Sequence, residues 1–405
     1  MLLKYELKKL LISRMNLITM AVGFIILGLT TVYPVLSESE YLAETGESIS
    51  GLAAIEYNQK KATKQTDYLT DEYVYEAIKD IQTSGYDLST DDGYFQAYDK
   101  YGHFLPYLGN SIKDIKDDSL WTDVIMDLEL EKYPSFYERR IERIDDYLNM
   151  DFSYGNFTEA EKNYWKNRAT KIETPYRFGD TFVPKHYQTV LALSFYLAFV
   201  IAFVLAGVFA KEREDNTEGI LLSTRKGQRE DLYAKIVAGM ITGVGYMISM
   251  FMIAFTWLFF VLGTSGFDLP VQLIDNSICY CMNMKQFLIL QFVISLVIML
   301  FVSAFSCFIS AVTRSGVATI AIMFMLLLGP AFIPFSKESS ILNHLNCLAL
   351  VRVMDLRELL KQFFVFHIGG HIINLPTMSI IVYLSATAIC ICVLRKVYIL
   401  GTVRK

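Results

Sequence analysis

The chain has 405 residues, 53% hydrophobic and 20% charged, with a formal charge of −5 and a mean hydropathy of +0.34. A soluble domain with this many charges rarely carries such an average, so the apolar residues must be gathered in blocks and a simple soluble globule is excluded. A bilayer core needs about 20 apolar residues per helix, and six blocks answer to it: 15–36, 188–210, 236–262, 286–312, 316–335 and 377–394.

In chain order, residues 1–14 come first. Leu2, Leu3, Leu7, Leu10 and Leu11 alternate with lysines at helical spacing, which predicts a cytoplasmic amphipathic helix on the inner membrane surface. The basic start could open a signal peptide. However, the apolar run after it outlasts the usual 7–15 residues and lacks a small-x-small cleavage site, so 15–36 reads as an uncleaved first span, TM1.

Residues 37–187 form an insert with 30 Asp and Glu against 17 Lys and Arg, a formal charge of −13. Its patterning is helical. Thr158-Glu-Ala-Glu161 is a capping box ahead of Trp165. One apolar stripe runs through Leu120, Trp121, Val124, Ile125 and Leu128, and another through Ile141, Ile144, Tyr147 and Leu148, with Pro134 near its start. Val74, Ile78 and Ile81 mark a third; Gly85 and Gly93 read as breaks, and Asp91-Asp92-Gly93 as a turn or helix start rather than a calcium loop. All six cysteines lie at or beyond residue 279, so the insert is expected to hold itself together by its own packing.

TM2 (188–210) leads into a charged segment, 211–235, and TM3 (236–262) comes next. Gly239 and Gly243 in TM3 have the spacing that lets helices approach closely. TM4 (286–312) and TM5 (316–335) are joined by a short connection holding Arg314. The segment 336–376 reads as one or two short amphipathic helices between Ile341 and Phe366, with Arg352, Asp355, Arg357 and Glu358 as a polar face. His367 and His371 have i, i+4 spacing but lack the intervening Glu of a metalloprotease motif, and Gly369 and Gly370 weaken a helix there, so no metal site is expected. TM6 (377–394) and a basic tail (395–405) end the chain.

Short segments rich in Lys and Arg stay in the cytoplasm. Lys4, Lys8, Lys9 and Arg14, the six Lys and Arg of 211–235, Arg314, and Arg395, Lys396, Arg404 and Lys405 all fall on one side when six spans are counted. The reading is therefore an all-α integral membrane protein with both termini cytoplasmic and a large, mainly helical extracytoplasmic insert between TM1 and TM2. Within the six blocks there is no Asp, Glu, Lys, Arg or His, which argues against proton relays and charge-ringed pores. No G-x-x-x-x-G-K-[ST] loop is present, so the energy for any transport should come from a partner.

The segment after TM2 holds Glu212, Glu214, Thr217, Leu221, Leu222, Ser223, Thr224, Arg229 and, where TM3 opens, Lys235. On physics alone it is an amphipathic helix and loop near the membrane, suited to docking a soluble partner. Those residues resemble the glutamate-bearing segment, the Thr-x-x-x-Leu-Leu-Ser-Thr run, the Arg and the opening Lys of ABC-2-type exporter permeases. The amphipathic start, six spans and outer segment before TM6 are similar too. Arg225-Lys226-Gly227 departs from the Pro-containing turn of many members, and the insert is far larger than in minimal ones.

The resemblance implies a bacterial permease subunit, not itself an enzyme, that works as a dimer with a second copy or paralogue. Cytoplasmic ABC ATPase subunits would bind the ATP and Mg; this chain would hold no cofactor. Residues 211–230 would be the coupling helix, and the cargo a hydrophobic or amphipathic peptide, lipid or drug, with a cationic peptide drawn to the acidic insert. The bilayer is the remaining partner, and no nucleic acid is expected. A membrane sensor or scaffold whose outer domain binds a ligand is the alternative. A lateral-gate permease with four spans fits the Leu221–Thr224 run less well.

Overall fold

The computed structural model describes residues 2–42, 47–214 and 230–403. Helix α1 (Leu2–Ile12) is separated by Ser13 from α2 (Arg14–Ser37). The second apolar run is three stacked helices, α10 (Phe182–Ala192), α11 (Ser194–Leu205) and α12 (Gly207–Glu214). Beyond it come α13 (Glu230–Leu262), α14 (Met284–Thr313), α15 (Gly316–Leu328) and α19 (Leu375–Val403). Among the described residues, five helices are long and apolar enough to cross a membrane: α2, the run Phe182–Glu212, α13, α14 and Leu375–Tyr398 of α19.

The fifth expected block forms a shorter helix than the others. It forms α15 and a single 3₁₀ turn (Gly329–Phe332), where Pro330 cannot continue the helical ladder. Even so it reaches across the bundle. Gly316 lies near the Ala206 carbonyl at one end, and beyond the other end Phe335 stacks on Phe364.

That bundle has two distinct ends. At one, α1 lies along α13, Phe209 of α12 packs on Tyr398 of α19, and the Phe209 amide donates to Ser310 of α14. At the other, Tyr187 donates to the Gly263 carbonyl, and Gln291 bonds both Met354 and Leu356. Among the described residues, the Lys and Arg of the four basic regions lie on segments at the first end, and the insert sits on the second.

The insert holds α3 (Leu52–Gln65), α4 (Asp71–Thr83), α5 (Asp91–Tyr101), α6 (Phe104–Ile112), α7 (Trp121–Asp127), α8 (Phe136–Asn149) and α9 (Glu159–Ala169). Two small antiparallel pairs join them: β1 (Ser39–Leu42) with β2 (Glu47–Ser50), and β3 (Tyr68–Leu69) with β4 (Tyr176–Arg177). Thr70, Thr90, Ser135 and Thr158 each cap a helix through the side-chain oxygen, and Thr158 with Glu161 forms the expected capping box. The expected break at Gly93 is corrected: it lies in the first turn of α5, where a Cβ would collide with the backbone of Asp87.

Self-sufficient packing of the insert is also corrected. Its core of Val74, Ile78, Ile81, Phe104, Leu108 and Phe136 is completed by Leu269, Leu273 and Met284, which lie beyond α13. Buried Arg140 donates to the carbonyls of Ala169, Asn276 and Ile278 at 2.8–3.1 Å, pinning α8 and α9 to that same loop. Trp165, at the heart of α9, donates to the Phe363 carbonyl at 2.8 Å.

Between α15 and α19 the chain forms three short helices, α16 (Ser340–Cys347), α17 (Leu350–Val353) and α18 (Leu356–Leu360), rather than one or two. A hairpin of β5 (Val365–Ile368) and β6 (His371–Asn374) comes after them, turning on Gly369 and Gly370 at φ +58° and +82°. Because side chains alternate along a strand and His367 pairs with Ile372, His367 and His371 face opposite sides of the hairpin. His367 instead reaches Glu161 at 3.0 Å.

Gly239 and Gly243 do bring helices together. A Cβ at Gly243 would collide with Ser303 Oγ and stand 3.2 Å from Ile201, whereas at Gly245 nothing lies within 4 Å. Gly243→Ala should therefore cost about 1–3 kcal/mol through overpacking, and Gly245→Ala should be neutral or slightly stabilising. Thermal midpoints of the two detergent-solubilised variants check this.

Candidate functional site

The end of the bundle that carries α1 encloses charge. On α1, Glu6 and Lys9 are one turn apart and share a face; on α13, Asp231 and Lys235 do the same at i, i+4. Glu212 arrives from the end of α12. The Lys235 ammonium donates to Glu212 and, at 2.5 Å, to Asp231, and it lies 5.3 Å from the Phe209 ring centroid. The other oxygen of Glu212 accepts from Lys9 Nζ at 3.0 Å, and Lys9 lies 3.9 Å from Glu6. A chain of alternating sign results: Asp231, Lys235, Glu212, Lys9, Glu6.

Lys235 is completely buried, and Asp231 and Glu6 are 1% and 3% exposed. Charges this far from water persist only when paired and hydrogen-bonded. Burial raises the Glu6 carboxyl above its ordinary range, with its neighbouring acids adding to the effect against the pull of Lys9 and Lys235. Burial alone would lower Lys9, but its hydrogen bond and attraction to Glu212, with Glu6 beyond, outweigh that and raise it. Carboxylate oxygens of Glu6, Glu212 and Asp231 lie within 4.8 Å of one another, the spacing of a cation site. The ammonium of Lys235 already bridges two of those three acids, so the cluster supplies its own cations.

A side chain from α14 acts one turn before Glu212. Buried Ser310 donates to the Ala206 carbonyl at 2.7 Å and accepts from the Phe209 amide at 3.2 Å. Its hydroxyl thus enters the backbone ladder where α11 gives way to α12, a recognised cause of helix kinks. The arrangement is a clamp on three segments next to the junction of α11 and α12.

Residues 1–368, from α1 to β5, match the family described as ABC-2 family transporter protein, and every member of the ion cluster lies within the match. The chain belongs to the ABC-2 transporter family. No curated protein and no solved structure matches it. This ABC-2 permease is thus a multi-pass membrane protein and a transporter component.

Of the sequence candidates in this permease, Glu212 and Lys235 meet, and Glu214 closes α12. Lys235 stands inside α13, little more than a turn after Glu230. Thr217, Leu221, Leu222, Ser223, Thr224 and Arg229 lie outside the described residues. Glu6, Lys9 and Asp231 were not legible as site residues in the sequence. The i, i+3 and i, i+4 pairing of acid with lysine was the available signal, though exposed helices show it equally often.

Replacing Lys235 by Met leaves Asp231 and Glu212 buried without their shared cation, at a cost of about 3–5 kcal/mol. The thermal midpoint of Lys235→Met should fall sharply, and the added changes Glu212→Gln and Asp231→Asn should recover part of the loss. For Glu6 the raised carboxyl means that the folded state holds the proton more tightly than the unfolded one. Its contribution to stability is full below pH ~4 and fades as pH rises through the raised value. Glu6→Gln should therefore gain on the parent protein as pH rises from ~4 through the raised value and then level off, as read by thermal midpoints across pH.

Proposed function

We propose that this permease is the membrane-spanning half of an ATP-driven exporter, powered by separate ABC ATPase subunits that bind ATP and Mg. The observation that carries the reading is the buried chain from Asp231 to Glu6, because it ties α1, α12 and α13 into one unit. The segment 211–235, our coupling segment, leaves and re-enters the bundle through that unit. A push on it would be passed to α13 through Lys235 and to α11 through the junction at Ser310, rather than being lost in a loose loop.

In this reading α15 is a sixth span, which its course between the two bundle ends supports. Lys and Arg gathered at the clamped end support cytoplasmic termini and an insert facing outward. The partner copy or paralogue would complete the path, and the cargo would be hydrophobic or amphipathic. A cationic peptide suits the formal charge of −13 over residues 37–187. Thr217, Leu221, Leu222, Ser223, Thr224 and Arg229 would form the surface met by the ATPase, with Glu212, Glu214 and Lys235 behind it.

The reading predicts that the protein co-purifies with a soluble subunit carrying a phosphate-binding loop. Glu212→Ala and Arg229→Ala should still insert into the membrane but lose transport while ATP hydrolysis in the complex continues. Co-purification with no such subunit, or full transport by both variants, would count against it.

A further inference from the structure

A second charged site lies at the insert end of the bundle. A cavity of about 340 Å³ opens there among Ala331, Phe335, Val351, Arg352, Asp355 and Leu359. Its floor is apolar, with Leu359 buried beneath it. Arg352 and Asp355 bring opposite charge to this cavity, yet among the described residues each is bonded only to neutral partners. Arg352 donates to Asn346 Oδ1 at 2.9 Å and to the Ile333 carbonyl at 3.1 Å, with its guanidinium 4.6 Å from the Phe335 ring centroid. Asp355 accepts from Gln188 Nε2 at 3.3 Å through one carboxylate oxygen. Both groups therefore keep hydrogen-bonding capacity: a guanidinium has five donors, and a carboxylate has a second oxygen.

The depth of the cavity narrows the ligand. Ala331 belongs to the last turn of the apolar run Gly316–Phe332, so the cavity opens where that run ends. The neighbouring Phe332 and Ile333 are 81% and 57% exposed. With Gly316–Phe332 read as a membrane-embedded helix, on which the inference rests, this is the level where hydrocarbon meets headgroups. Phe335 is held by stacking on Phe364, which in turn touches Tyr154 of the insert, so the insert backs one wall.

We propose that this cavity binds the zwitterionic headgroup of an aminophospholipid, its phosphate at Arg352 and its ammonium at Asp355, with the acyl chains beside Phe332 and Ile333. A single-sign ligand would satisfy one of the two charges and leave the other facing it. Glu358, at the rim, is already paired with Arg357 and Lys361. The site needs neither ATP nor a partner subunit, so it stands or falls separately from the exporter reading.

The test is isothermal titration of the full-length protein in detergent with short-chain phosphatidylethanolamine, phosphatidylglycerol of the same chains, and free phosphoethanolamine. The protein should prefer phosphatidylethanolamine over phosphatidylglycerol by about tenfold, the factor expected of one charge-assisted hydrogen bond. Asp355→Asn should abolish that preference, Arg352→Gln should weaken both lipids, and Val351→Phe, which fills the cavity, should remove binding without altering the elution profile. Equal affinity for the two lipids, a preference that survives Asp355→Asn, or equally tight binding of free phosphoethanolamine would overturn the proposal.

Discussion

A lysine with no exposure to water must find its counter-charges inside the protein, and Lys235 is such a lysine. Glu212 and Asp231 meet that demand, and in doing so they fix the end of α12 against the start of α13. Glu212 has a second oxygen, which Lys9 takes, and α1 is thereby held to the same point. One buried ammonium thus sets the arrangement of three chain segments. The same desolvation that makes the cluster costly to break makes it stiff.

The opposite end of the bundle is built on different chemistry. There the insert shares its apolar core with the loop after α13, and Arg140 and Trp165 place their donors on carbonyls of segments far away in sequence. The insert is therefore continuous with the bundle rather than tethered to it. Between the two ends, Gly239 and Gly243 let α13 approach the neighbouring helices, and Ser310 replaces a backbone bond at the junction before α12. Rigid ends joined by closely packed helices suit rigid-body shifts better than continuous deformation.

How much of the site was legible depends on the residue. Glu212 and Lys235 stood out through resemblance to a family pattern, and they do meet. Glu6, Lys9 and Asp231 were indistinguishable from the solvated charges of any amphipathic helix, because nothing local records that α1 lies along α13. Arg140 and Arg143, on the helix that carries Ile144 and Leu148, were hidden for the same reason. Both are buried, Arg140 donating to three backbone carbonyls and Arg143 to those of Ser111 and Asn110 through its terminal nitrogens.

Hydropathy and capping are local properties, and the sequence by itself determined their consequences. The apolar blocks, the start of the helix capped by Thr158, and the close approach allowed by Gly239 and Gly243 could all be read from it. Even the large acidic insert was plain as composition. Only the tertiary structure decided what the insert packs on, how the His367–His371 segment turns, and which charges are buried. The packing of the insert and the burial of the charges depend on contacts between residues more than a hundred positions apart, such as Lys9 with Glu212 and Trp165 with Phe363. Burial is set by what the rest of the chain brings to a side chain, and no window of neighbouring residues contains that information.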